Sequence, residues 1–262
     1  MTSSLGDRMK MYESVTRTRL VPRMPTIIRL DGHAFHTLCR GMQRPYDEDF
    51  ASCMWGAAMA CLDQVEGCKV AYVQSDEISL LLTDYDTLQT QAWFDGGVLK
   101  ITSVSASIVT GAFNVAYATR FPERWADVCY GRRDPPSFDS RCWSLPKEEV
   151  VNYFLSRQQD AERNSLSMLC QAHFSPKVLH GKGREEQHDL LHGIDLNWNN
   201  CSTAQKRGVC VIKETYEVEG PQGEKAVRSR CVVDLDIPIF GQDRVYIQQF
   251  VDVDLPESCT AT

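Results

Sequence analysis

No uninterrupted apolar run in these 262 residues approaches the length needed to cross a bilayer, so no membrane is expected as a partner. The segment from Met1 to Lys10 has no apolar core of the kind an export signal carries, and a cytoplasmic location is the expectation that follows. No two of the 11 cysteines stand in a C-x-x-C pair, which argues against zinc ribbons and dithiol redox motifs. Reduced thiols packed as small core residues are expected instead. Positive charge is also short: 28 Lys and Arg against 35 Asp and Glu leave a formal charge of −7. The chain is therefore not coated in basic patches for nucleic acid, although a local basic groove is compatible with that balance. Internal repeats, low-complexity tracts and long charge runs are missing as well, which excludes repeat architectures.

What is present is an ordinary globular composition, 43% hydrophobic and 24% charged, in a chain long enough to bury a substantial core. Arginine outnumbers lysine, and arginine is the better bidentate binder of phosphate. The first half alternates strands and helices. Thr26 to Leu30 is a β-branched run ending at the Asp31-Gly32 turn signal. The spacing of Phe50, Met54, Ala57, Ala58, Cys61 and Leu62 predicts a helix from Asp47 to Val65. Val70 to Val73 and Ile78 to Leu82 predict a hairpin broken at Ser75, Asp76 and Glu77, and Gly97 to Tyr117 reads as a long helix. A fourth strand is expected over Arg141 to Leu145, after a loop at 131–140.

That order is βαββαβ, an α+β ferredoxin-like arrangement. In it the first and third strands are central antiparallel neighbours, which carries Asp31 to the side of Asp76. The second half predicts a helix from Pro146 to Cys170 with Ser144 as its cap, a polar stretch at 175–208, and a late hairpin over 209–217 and 227–233 with its turn around Gly220 to Gly223. Arg157, Asp160 and Asn164 share one face of that helix by spacing.

Two ionised carboxylates at about 4 Å, with an effective dielectric near 20, repel by roughly 4 kcal/mol. Either one stays protonated or a cation neutralises both. Hard oxygen donors with nothing soft beside them favour Mg2+, and two such ions suit in-line displacement at phosphorus. The plainer alternative is that Asp31-Gly32 is a common strand-end turn and Ser75-Asp76-Glu77 a hairpin tip. Glu77 is a third ligand or a solvated turn residue. Arg29, Arg44 and Lys100 are candidate phosphate contacts, or ordinary surface charges.

The run Arg29 to His36, then Arg44 to Asp47, Gln74 to Ser79, Phe138 to Arg141, Arg157 to Asp160, Asn164, Asn197 to Asn200 and Lys206 to Gly208 together resemble the motifs of tRNA(His) guanylyltransferases. The likeness runs in order from about residue 10 to 235. It implies a palm-like nucleotidyltransferase core over 1–145, with a C-terminal helical and hairpin region over 146–262 packed on it. It implies two Mg2+ ions held by Asp31, the Gly32 carbonyl and Asp76, with Glu77 beside them as a catalytic residue. Arg29, Gly32, His33, Ala34, Phe35, His36, Arg44, Asp47, Ser75 and Lys100 match positions around the nucleotides or the RNA 5′ end. Arg157, Asp160, Asn164, Asn200, Lys206 and Arg207 match positions toward the RNA. ATP and GTP or other nucleoside triphosphates are the implied substrates, tRNA the partner, and a homotetramer the assembly.

Glu162-Arg163-Asn164-Ser165 stands where eukaryotic relatives that add an untemplated guanosine carry His-Ile-Asn-Asn. With Gln159 and Asp160, this resembles the bacterial, archaeal and phage members that repair truncated tRNA 5′ ends by base-paired, 3′-to-5′ addition. Untemplated addition to tRNA(His) is the alternative. Two further rivals are a palm-type nucleotide cyclase and a non-enzymatic RNA-binding module, which would present aromatics on its sheet face.

Other features are read as structural. His188 and His192, four apart, lack the glutamate of an H-E-x-x-H site and suit a solvated helix face. Trp198 suits a packing anchor. His180 to Arg184 lacks P-loop spacing. Arg157, Asp160 and Asn164 have an alternative as a salt-bridged stripe between layers.

Overall fold

The computed structural model describes residues 4–219 and 225–252. A six-stranded antiparallel sheet organises the molecule, with helices on both faces. Its strands are β1 (Thr26–Gly32), β2 (Cys68–Gln74), β3 (Glu77–Leu82), β4 (Phe138–Ser144), β5 (Val209–Glu219) and β6 (Lys225–Asp234). They lie in the order β4-β1-β3-β2-β5-β6, so the hairpin from the second half extends the same sheet through β2. The proposed turn at Gly220 to Gly223 lies outside the described residues.

Among the described residues ten α-helices surround the sheet: α1 (Leu5–Ser14), α2 (Phe35–Leu38), α3 (Glu48–Gln64), α4 (Val98–Arg120), α5 (Pro122–Cys129), α6 (Lys147–His173), α7 (Pro176–Leu179), α8 (Arg184–His192), α9 (Thr203–Arg207) and α10 (Val245–Gln248). Helices α3 and α4 cover the face carrying Ile28, Leu30, Val73, Ile78 and Leu80. Helix α6 and the chain from Ile237 to Val251 cover the face carrying Ile27, Val70, Tyr72 and Leu81. Burial on both faces explains why β2 and β3 read as nearly continuous apolar runs.

Several expectations need correction. By length and composition α4 is long and apolar enough to cross a membrane, with a mean hydropathy of 1.4 over its most apolar stretch. Its serines and threonines interrupt the run in sequence, yet the average stays high. Ile101, Val109, Phe113 and Tyr117 nevertheless seat it on the sheet as a core helix. The expected loop at 131–140 is strand from Phe138 onward. Helix α6 has Pro146 rather than Ser144 at its cap position, because Ser144 is still paired in β4 with Thr26. The polar stretch at 175–208 folds into α7, α8, a 3-10 turn at Trp198–Asn200 and α9. These close over a small core of Leu166, Leu169, Cys170, Leu191 and Trp198. Trp198 is an anchor there, as its reading predicted. His188 is not simply solvated, since its ring packs edge-on against Trp198 at 5.9 Å. Helices α1 and α5 add to the expected elements, and a Ser4–Asp7 capping box starts α1.

Candidate active site

Strand pairing brings the two aspartates together. Asp31 lies opposite Glu77 across β1 and β3, and the Gly32 N–H donates to the Asp76 carbonyl at 3.0 Å. The β2–β3 connection is only Ser75 and Asp76, with Ser75 left-handed at φ 49°. After Gly32 the chain turns through left-handed Ala34, and the Phe35 ring packs so closely that a Cβ on residue 32 would lie 2.5 Å from it. Only glycine fits that position. Phe35 is itself buried among Phe50, Phe113 and Phe138, with ring centroids 4.9–6.0 Å away. It therefore holds the loop from inside, and it also lines the cavity beside Asp76.

The acids are crowded. Burial raises the Asp31 pKa above the ordinary carboxylate value; the charges of Asp76, Glu77 and Asp139 add to this and Arg141 opposes it. Burial also raises Asp76, against hydrogen bonds from its own backbone and the Ser75 hydroxyl, with Glu77 adding and His36 opposing. The nearest cation to Asp31 is the Arg141 guanidinium at 3.9 Å, which also meets Asp139 at 3.4 Å. Asp139 and Arg141 lie within the Phe138 to Arg141 motif, which by itself does not single them out as site residues. The available signal was the β4 alternation, which puts both on the face that Asp31 shares.

Glu77 is differently placed. Both of its oxygens accept from Arg157, Nε at 2.8 Å and Nη2 at 2.6 Å, and Arg157 also pairs with Asp160. Two residues on, the Ser79 and Tyr153 hydroxyls meet at 2.8 Å. The edge of the site is thus fastened to α6. The salt-bridged alternative for Arg157 and Asp160 describes what is seen. Arg207 pairs with Glu162 at 3.0 Å, and Lys206 donates to the Asn199 carbonyl at 2.8 Å. Asn200 is exposed near them.

A cavity of about 790 Å³ opens beside Asp76. His36, Arg44, Asp47, Ser75, Asp76 and Asn164 line it, from α2, the loop before α3, the β2–β3 turn and α6. Asp47 caps α3 by accepting from Phe50 N at 2.9 Å, which restrains its carboxylate. Cys39 also lines the cavity; burial pushes its thiol up to about 12, with Asp76 and Asp47 adding. It stays neutral and is no nucleophile. Arg29 lies one row back on β1, its Nε buried without a partner, and His33 is exposed. Lys100 is not brought to the acids. The start of α4 sits at the Thr26 and Leu82 end of the sheet, and Lys100 lies over the Phe94 ring at 5.4 Å.

No group of three or more His, Cys, Asp or Glu side chains is placed to hold a metal among the described residues. Two carboxylates and the Gly32 carbonyl are fewer ligands than a closed protein cage provides. They fit Mg2+, which keeps waters and is commonly held by one or two carboxylates plus substrate phosphate.

Paired acids at a strand end beside a cavity of this size are the equipment of an enzyme acting at phosphorus. Known proteins give the particular class. Residues 6–146 match the family Thg1: tRNAHis guanylyltransferase. A bacterial tRNA(His) guanylyltransferase (Thg1)-like protein solved in complex with ATP superposes at a TM-score of 0.85 with 42% identity, covering 96% of this chain and 100% of that one. Such a bacterial protein in complex with GTP superposes at 0.77 with 40% identity, covering 95% and 99%. The Saccharomyces cerevisiae tRNA(His) guanylyltransferase is 25% identical over 229 residues, 82% of this chain and 92% of its own. The chain belongs to the tRNAHis guanylyltransferase family. It is a nucleotidyltransferase of tRNA 5′-end nucleotide addition.

Proposed function

We propose that the chain adds nucleotides in the 3′-to-5′ direction to the 5′ end of truncated tRNA, choosing each by pairing with the opposite strand. The observation that carries this reading is the hydrogen bond from Gly32 N–H, next to Asp31, to the carbonyl of Asp76, which itself lines the cavity. The strand order β4-β1-β3-β2 with α3 and α4 on one face reads as a ferredoxin-like palm. Relatives that bind ATP and GTP support a nucleoside triphosphate in the cavity.

Asp31, the Gly32 carbonyl and Asp76 would hold two Mg2+ ions, which when bound supply charge neutralisation at phosphorus and a more acidic attacking hydroxyl. His36 and Arg44 face the phosphates. In the first step an oxygen of the RNA 5′-monophosphate attacks the α-phosphorus of ATP, forming an anhydride and releasing pyrophosphate. In the second, the 3′-hydroxyl of the incoming nucleotide attacks that activated 5′ phosphorus, forming a phosphodiester and releasing AMP. The templated reading is favoured by Glu162, which is tied to Arg207 where untemplated relatives carry histidine.

We also infer a homotetramer. Helix α1 buries none of its residues and exposes Leu5, Met9, Met11 and Tyr12, and α4 exposes Leu99 and Val115.

The test is extension of 5′-truncated tRNA with each labelled nucleotide in turn. Wild type should add the nucleotide complementary to the opposing base, and Asp76→Ala should lose addition by at least about a thousandfold, the scale on which transition-state charge stabilisation is removed. Retained activity in the variant would sink the site. Addition without regard to the opposing base would sink the templated reading alone.

A further inference from the structure

Gln74, the last residue of β2, is 6% exposed and its side chain lines the cavity beside Ser75 and Asp76. Among the described residues its carboxamide has no hydrogen-bond partner, and its polar atoms are not sealed away but stay accessible. A carboxamide carried on the wall of a cavity and not engaged by the protein keeps both its donor and its acceptor for whatever occupies that cavity. The start of the side chain is fixed from behind: Gly208, at φ +80°, packs so tightly that a Cβ there would lie 2.3 Å from the Val73 carbonyl and 3.2 Å from the Gln74 Cβ.

Phosphate is the wrong partner for a neutral carboxamide, and Arg44 already offers a cation, with the His36 ring beside it, in the same cavity. A nucleobase is the right one. Phe50, Met54 and Trp55 give the cavity an apolar wall for a ring, and the edge of a base places a donor beside an acceptor, as a carboxamide does. We propose that Gln74 reads the base of the bound nucleotide and accepts either purine by turning its amide over. Toward adenine it accepts from N6–H and donates to N1; toward guanine it accepts from N1–H and donates to O6. The proposal rests on the cavity being a nucleotide site.

The discriminating variant is Gln74→Glu, which keeps the shape and removes the donor. Two carboxylate oxygens match the adjacent N1–H and N2–H of guanine, whereas against adenine one of them faces the N1 lone pair. Added negative charge also repels any triphosphate, but equally for ATP and GTP. The readout is therefore the ratio of the two dissociation constants, measured by titration calorimetry on the full chain in Mg2+, with thermal unfolding as a check on folding. The expected result is a shift of about tenfold or more in favour of GTP, with Gln74→Met weakening both nucleotides. A ratio unchanged in a folded Gln74→Glu protein that still binds nucleotide would overturn base reading alone. Wild-type protein that binds neither ATP nor GTP would overturn it together with the nucleotide-site reading.

Discussion

At the scale of single residues, the acids are arranged for something other than stability. A carboxylate whose folded pKa is raised favours the fold while it is protonated, and that contribution disappears as pH rises through the folded value. Asp31 and Asp76 are both raised, so at neutral pH their charges weigh against the metal-free fold. Asp31→Asn should therefore raise the metal-free Tm at pH 7 and lose this gain below about pH 4, while nucleotide addition disappears. A melting series from pH 3 to 8 checks it; a lower Tm at pH 7 would contradict the crowding described here. These aspartates were legible in the sequence because strand order alone makes neighbours of them. Gln74, Asp139 and Arg141 are not legible as site residues in the sequence, because their part depends on side-chain environment and on which face of a strand they share. Lys100 was expected at the phosphates by resemblance, and the register of α4 along the sheet carries it to the other end.

At the scale of elements, α6 is the piece that joins the acidic edge to the rest. Arg157 reaches Glu77 on one side, while Gln158 on another donates to the Pro238 carbonyl at 2.9 Å and accepts from Phe240 N at 2.9 Å. Removing one partner from a buried ion pair leaves the other charge uncompensated, which costs about 3–5 kcal/mol. Glu77 and Arg157 are 8% and 16% exposed at their side chains, so Arg157→Ala should destabilise by about 3 kcal/mol in urea unfolding. The Arg157→Met, Glu77→Gln pair should lose less. An Arg157→Ala protein as stable as wild type would show that the pair is not a fastening. Helical spacing exposed the polar stripe on α6 but not its direction. The same three positions suit an RNA-facing surface or an internal clamp, and only the register of β3 against α6 decides between them. Short helices such as α7 and α9 carry too few turns for periodicity to register, so residues 175–208 read in the sequence only as a polar stretch.

At the scale of the whole molecule, the apolar residues left outside the core are the ones that ask for company. Helix α4 packs one side on the sheet and leaves the other uncovered, and α1 stands clear of the core altogether. Light scattering on the full chain should give a mass near four times 29.7 kDa, and removal of residues 1–15 should lower it. A monomer at micromolar concentration would end the assembly proposal without touching the site.

The link between Gly32 N and the Asp76 carbonyl runs through main chain only, so altering the acids does not sever it. A doubly amidated chain, Asp31→Asn with Asp76→Asn, keeps its scaffold while its chemistry is silenced. Such a protein is suited to arresting an unreacted nucleotide and RNA terminus in place, a snapshot that the working enzyme would consume.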